Sequence, residues 1–159
     1  MPFDAPADGP VDKHFTATGF LVRDGRVLLL WHRKLRMWLP FGGHIDAGED
    51  PVQALLREAR EETGFEVEIA GETLAFAAPE PRPLPRPETI LLERIEPGHY
   101  HIDLIYFVRP VDGQETLAPG EHAEMRWFSP EELGAPEVTE DVRLLGRTAI
   151  ARLAASPHA

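Results

Sequence analysis

The chain contains no cysteine. That excludes disulfides, thiolate metal sites and a cysteine nucleophile, and it fits a reducing compartment, for which the cytoplasm is the default. Long apolar runs are missing as well. Nowhere do about 18 apolar residues stand together, and the N-terminal MPFDAPADGPVDKHF has no basic segment followed by an apolar one. Neither a membrane-spanning segment nor a standard secretory signal is expected. Positive charge is scarce: 16 Lys and Arg stand against 27 Asp and Glu, a formal net charge of −11. Such a surface disfavours DNA, RNA and anionic membranes, and it opposes a free nucleotide too unless cations intervene.

What is present suits one globular domain. At 159 residues, 43% apolar and 27% charged, the chain can bury roughly two-thirds of its unfolded surface. Sixteen prolines predict rigid, irregular loops, and no internal repeat is found. Residues 1–12 are rich in Pro, Asp and Ala and are expected to form a flexible arm, leaving 13–159 as a single domain.

From His14 the segments FTATGFLVR and RVLLLWHRK read as strands, joined by Asp24-Gly25 into a hairpin. HRKLRMW then holds His32, Arg33, Lys34 and Arg36, the densest positive cluster. This is either a solvated strand end or a phosphate contact; Arg33 and Arg36 are the candidates because arginine offers forked donors to phosphoryl oxygens. In Phe41-Gly42-Gly43, paired glycines let the main chain come close to a ligand.

A helix is predicted to open at Asp50, with Pro51 at its first position and Gln53 completing a capping box, and to stop at Gly64. Val52, Leu55, Leu56, Ala59 and Thr63 form its buried stripe at about 100° per residue. Glu58, Glu61 and Glu62 share an arc of roughly 100° away from that stripe, where like charges repel.

Beyond the helix, EVEIAGETLAFAA reads as extended, and prolines at alternate positions from Pro79 to Pro87 predict a stiff loop. TILLERI and YHIDLIYFVRP are the next strands, the second expected to end before Pro110. His101 and Asp103 share one of its faces and are candidates to line a pocket. An acidic loop from Asp112 to Glu124 precedes MRWFSPEEL, a strand followed by a helix capped by Ser129 with Pro130 and Glu132. A last segment, Glu137 to Ala155, has near-helical spacing interrupted by Gly146.

Gly43, Glu49, Arg57, Glu58, Glu61, Glu62 and Gly64, with Ala59 and Phe65, match G-x5-E-x7-R-E-U-x-E-E-x-G-U at every position. Seven fixed types at about 6% each would coincide by chance on the order of once in a hundred million starts or less. The stretch resembles the Nudix box. One departure concerns the loop before it: relatives commonly place Pro directly before the two glycines, whereas here Phe41 stands there and Pro40 precedes it.

The resemblance implies a Nudix-type α/β/α sandwich around a mixed β-sheet. It also implies an Mg²⁺- or Mn²⁺-dependent hydrolase of phosphoanhydride bonds in nucleoside diphosphate-linked substrates: NTPs, ADP-ribose or nucleotide sugars, and dinucleoside polyphosphates. The metal-facing set would be Glu58, Glu61, Glu62 and the Gly42 carbonyl, with Glu58 also a candidate for polarising water. Glu49 and Arg57 are expected to brace the glutamates. Glu121, or after it Glu124, would supply the further carboxylate that several relatives carry outside the box. The expected partner is a small nucleotide, not a nucleic-acid polymer or a membrane, and a homodimer through the arm or a sheet edge is compatible with the family. Trp38, Phe41, Phe76, Tyr100, Tyr106 and Trp127 could stack on a base or belong to the core. A catalytically silent nucleotide-sensing or protein-interaction module on the same fold is the competing function. An isomerase acting on a diphosphate-bearing lipid precursor is a third, disfavoured by the missing thiol.

Overall fold

Alternation of side chains along three central strands divides the hydrophobic residues between two faces, and this division builds the molecule. The structure, a computed structural model, describes residues 11–155. Its elements are β1 (Asp12–Arg23), β2 (Arg26–His32), β3 (Met37–Leu39), β4 (Phe41–His44), α1 (Pro51–Thr63), β5 (Phe65–Ile69), β6 (Thr89–Glu96), β7 (His99–Gly113), β8 (His122–Phe128) and α2 (Glu140–Ala155). All eight strands form one mixed sheet.

Phe20 and Val22 of β1, Val27 and Leu29 of β2, and Ile105 and Phe107 of β7 pack with Val142, Ala149, Ile150 and Leu153 of α2. Their neighbours Ala17, Leu21, Leu28, Leu30, Tyr106 and Val108 face the other way and pack with Ala54, Leu55 and Ala59 of α1. The period of two thus places one helix on each face, and the fold is the expected α/β/α sandwich. Among the described residues no helix is long and apolar enough to cross a membrane.

At the centre, β1 runs parallel to β7, from Asp12 opposite His99 to Leu21 opposite Val108. On its other edge, β1 pairs with β4 over Thr16–Gly19 and with β2 over Leu21–Arg23, both antiparallel. Two strands therefore share consecutive parts of one edge, and β2 carries β8 on its far side.

Helix α1 follows the sequence signals. The Asp50 side chain accepts from the Gln53 N–H at 2.8 Å, the Gln53 side chain accepts from the Asp50 N–H at 2.9 Å, and Pro51 starts the helix. Gly64 ends it at φ 82°, and the Thr63 carbonyl accepts from the Thr116 N–H at 2.9 Å. Ala54, not Val52 or Leu56, joins the fully buried stripe, the latter two being half-buried.

Elsewhere the structure corrects the sequence-based expectations. Strand β7 does not end before Pro110 but runs to Gly113: the proline, which lacks an N–H to donate, stands opposite Val67 beside a bulge in which Val111 of β7 has no partner on β5. After α1 only Phe65–Ile69 is strand, and the chain through the proline-rich loop is largely exposed. The Ser129–Glu132 capping box forms, with bonds of 2.8 and 3.2 Å, yet only a 3-10 turn at Glu132–Gly134 follows because Gly134-Ala135-Pro136 stops it. Gly146 does not interrupt α2; it lies buried within it, where a Cβ would sit 3.0 Å from Leu133. Of the expected arm, residues 1–10 lie outside the described residues and Asp12 already belongs to β1.

The Gly64 position is unforgiving: it combines positive φ with a Cβ site only 2.3 Å from the Gln114 carbonyl oxygen. Gly64→Ala should cost about 1–3 kcal/mol or more, read as a lowered urea midpoint with unchanged slope.

Candidate active site

The carboxylates of α1 divide into three environments. Glu58 and Glu62 are enclosed, with side chains 12% and 17% exposed, whereas Glu61 is 59% exposed. Glu58 fits because Gly43 has no side chain: a Cβ there would lie 2.3 Å from Glu58 Oε1. The close approach of β4 to α1 is what the second glycine of the pair provides.

Arg57 holds this surface together. Its Nε and one terminal nitrogen donate to the two oxygens of Glu49 at 2.7 and 2.9 Å, a forked pair. The other terminal nitrogen donates to Glu58 Oε1 at 2.8 Å and Glu61 Oε2 at 3.2 Å. A further bond of 3.1 Å reaches the His44 carbonyl on β4. Hydrogen bonding to Arg57 holds Glu49 well below the usual carboxylate range, at about 2, and Glu49 and Glu58 together raise the Arg57 pKa.

Glu62 receives no such help. Its Oε2 is buried without a hydrogen-bond partner. Burial first, then the charge of Glu58, push its carboxyl up to about 9, against a backbone hydrogen bond from Gly42 that lowers it. His122 Nδ1 lies 4.0 Å from this oxygen. A buried oxygen with an open valence next to a second carboxylate fits a hard, oxygen-preferring dication. Glu58 and Glu62 could hold one, with the Gly42-Gly43 main chain alongside.

A cavity of about 470 Å³ opens beside Glu62. Gly42, Gly43, Thr16 and Thr18 line it together with His101 and Asp103 of β7 and Glu93 of β6, and Asp141, Val142 and Leu145 of α2 line it too. Asp103 is buried and accepts from Thr16 and Thr18 at 2.8 Å each. Burial raises the Asp103 pKa, while those hydroxyls oppose the rise. Burial also raises Glu93, to about 7, with Asp103 and Asp141 adding to it. His101 is lowered by burial and then by the nearby His44, His99 and His14.

Glu121 and His122 occupy the rim. Glu121 is 78% exposed, with Oε2 3.9 Å from His32 Nε2, and both residues line the cavity; Glu124 instead pairs with Trp31 along β8. Arg33 turns to this rim from outside, its Nε donating to the Gly120 carbonyl at 3.1 Å. Arg36 sits in the β2–β3 turn at φ 54°. Neither arginine lines the cavity. Of the aromatic candidates, Trp38, Phe41 and Tyr106 are core, and Arg23 stacks over Trp127 at 4.3 Å.

Sequence reasoning placed His32 in the positive cluster but missed His122, Glu93, Asp141, His14 and His44 as neighbours of this region. Their sequence positions carry no shared spacing; strand pairing brings the four on strands together, and the packing of α2 on the sheet adds Asp141.

The pKa of Glu62 fixes a sign. In metal-free protein the folded group stays protonated to about pH 9, whereas the unfolded group loses its proton near the ordinary 4.5. Between those values the unfolded state binds fewer protons, so its contribution to stability is present below the window and is lost as pH rises through it. Glu62→Gln should flatten this part of the pH–stability profile in chelator, measured by urea unfolding between about pH 5 and 9.

Comparison with known proteins adds independent findings. The NUDIX domain profile matches residues 13–147. A curated mouse (Mus musculus) protein, bis(5'-nucleosyl)-tetraphosphatase (asymmetrical), is 30% identical over 101 residues, 60% of this chain and 57% of that protein. The chain thus spans little more than half of that relative. The crystal structure of a NUDIX-family hydrolase from Clostridium perfringens superposes with a TM-score of 0.77 at 30% identity, covering 90% of this chain and 99% of the other. A MutT NUDIX hydrolase from Burkholderia pseudomallei shares the fold with a TM-score of 0.66 at 21% identity, covering 89% and 98%.

Proposed function

The chain belongs to the NUDIX family of hydrolases, and from that premise we propose that it cleaves a phosphoanhydride bond in a nucleoside diphosphate-linked substrate with the help of Mg²⁺ or Mn²⁺. The observation that carries this proposal is the buried, partnerless Glu62 Oε2 beside Glu58 at the mouth of an open cavity. A protein gains nothing from two crowded carboxylates there unless a cation or a proton joins them.

In this reading Glu58 and Glu62 hold the dication, with Glu61 contributing from the solvent side and the Gly42 carbonyl from the main chain. When bound, the ion neutralises charge spreading over the phosphoryl oxygens and lowers the proton affinity of water. Arg57 and Glu49 fix the angle at which Glu58 is presented, so they position and do not touch the bond that breaks. Glu121 takes the proton of the attacking water from its place on the rim, and His32 beside it holds the carboxylate in reach. Thr16, Thr18 and Asp103 bind the part of the substrate beyond the diphosphate. Arg33 and Arg36 receive outer phosphates where the substrate extends past the cavity. The whole fits a cytoplasmic enzyme. A homodimer would use the β6 edge, where Ile90, Leu92 and Ile95 remain exposed, and sedimentation would reveal it.

The mouse relative's name makes dinucleoside polyphosphates the first substrates to try. They belong in one panel with ADP-ribose, nucleotide sugars and normal and oxidised NTPs, with Mg²⁺ and product release followed by phosphorus NMR. Glu58→Gln and Glu62→Gln should abolish turnover at unchanged folding, and undiminished turnover in both would refute the proposal. Arg57→Ala should lower kcat by about 10- to 100-fold. Glu121→Gln should lower it by about 10²- to 10⁴-fold; a wild-type rate would remove Glu121 from the role of base.

A further inference from the structure

Four imidazoles meet on three adjacent strands, outside the carboxylate site. Parallel pairing sets His14 of β1 opposite His101 of β7, and β4 brings His44 to the other edge of β1. The ring centroids of His44 and His101 are 5.0 Å apart, those of His14 and His44 5.3 Å, and those of His14 and His101 6.4 Å. One ligand atom from each of these three residues lies within 4.8 Å of the other two. His99 packs against both His14 and His101, at 5.0 and 5.1 Å.

A second, independent feature is that His101 Nε2 is buried and has no hydrogen-bond partner. A buried acceptor or donor left open costs about 1–3 kcal/mol unless something fills its valence. No carboxylate bonds to it: Asp12 and Glu96 lie against His14 and His99, at 3.1 and 3.9 Å, and Glu93, opposite His101 on β6, leaves this nitrogen without a hydrogen bond.

We propose that His14, His44 and His101 bind one transition-metal ion of the Zn²⁺ class, at a site separate from the oxygen-lined one on α1. Imidazole nitrogens suit zinc, copper and nickel, whereas Mg²⁺ and Ca²⁺ prefer oxygen. Around a tetrahedral ion with bonds of about 2.0–2.1 Å the nitrogens stand roughly 3.4 Å apart, so small side-chain rotations close the present spacing. Whichever nitrogen of His14 takes the ion, its other nitrogen has a partner, Asp12 Oδ1 at 3.1 Å from Nε2 or His99 Nε2 at 3.3 Å from Nδ1. Such a partner orients a metal-bound histidine. Three protein ligands leave a fourth position for solvent, which reaches the site because His14 is 43% exposed and His44 is exposed. The ion would tie β1, β4 and β7 together directly behind Gly43, so its role is to stiffen the strand against which Glu58 packs.

The test uses the full chain without an affinity tag, stripped with chelator and held in excess Mg²⁺ to occupy the carboxylates. Co²⁺ is the spectroscopic probe, because a four-coordinate, nitrogen-bound ion absorbs visible light far more strongly than a six-coordinate, oxygen-bound one. One equivalent should bind with intense visible bands and be displaced by one equivalent of Zn²⁺. Zn²⁺ at about a hundredfold excess over its Kd should raise the melting temperature by about 5–10 °C. His14→Gln, at an exposed position, and His101→Gln should each weaken binding about 100-fold, with apo circular dichroism confirming their fold. Glu58→Gln and Glu62→Gln should bind as the parent does. The proposal is overturned if the parent shows no such bands, if they persist in the His14→Gln/His101→Gln double variant, or if the glutamate variants remove them. None of these readouts depends on hydrolysis, so this site and the proposed activity stand or fall separately.

Discussion

The parallel pairing of β1 with β7 is the constraint on which the rest depends. It joins segments almost ninety residues apart, in an unbroken register from Asp12–His99 to Leu21–Val108. That register presents Phe20 and Phe107 to α2 and Leu21 and Tyr106 to α1, so both layers of the sandwich are referred to one pair of strands. It also sets Thr16 and Thr18 against Asp103, which gives a buried acid its hydroxyl partners, and His14 against His101. A one-residue slip would turn every one of these side chains to the opposite face.

Within the site, the arithmetic of charge explains the division of labour. One guanidinium meets four carboxylates, those of Asp46, Glu49, Glu58 and Glu61, and a single positive charge cannot balance them. Glu62 is left outside the arrangement and buried, and its carboxyl responds by holding its proton. Arg57 therefore fixes geometry without neutralising the site. The remaining negative potential favours a cation, and a bound dication would reverse the local preference for protonation. On the proposed function, an acidic protein would in this way receive a polyanionic substrate without a basic surface.

What the sequence made legible was local. The hairpin at Asp24-Gly25, the capping box of α1, its glycine stop and the Glu49–Arg57 brace are all specified within a few turns of chain, and each forms. Legibility failed where the outcome depended on a distant partner. Pro110 stops a strand only if its missing N–H is needed, and the bulge at Val111 beside it on β7 relaxes that need. Ser129 and Glu132 cap correctly, but the residues after them cannot propagate a helix. Gly146, a helix breaker by propensity, is kept helical by the space Leu133 demands. His122 stood beside the glutamate singled out in its loop, yet its proximity to Glu62 follows from the pairing of β8 with β2. Of the histidines at 14, 44, 99 and 101 only the last two share a spacing, along β7; register brings the others to them.

Helix α1 is held at each end by different means. Asp50 and Gln53 close its first turn, while Gly64 and Gly113 are so close that a Cβ on Gly113 would lie 2.3 Å from the Gly64 carbonyl oxygen. Between these ends, Arg57 ties the helix to the His44 carbonyl. A rod gripped at both tips and in the middle cannot slide along its axis. On the proposed function Glu58 and Glu62 would thus act as a fixed anvil, and any accommodation of larger or smaller nucleotides would fall to the walls contributed by β6, α2 and Glu121-His122. Changes of substrate preference in this scaffold should then accumulate far from the residues that define its chemistry.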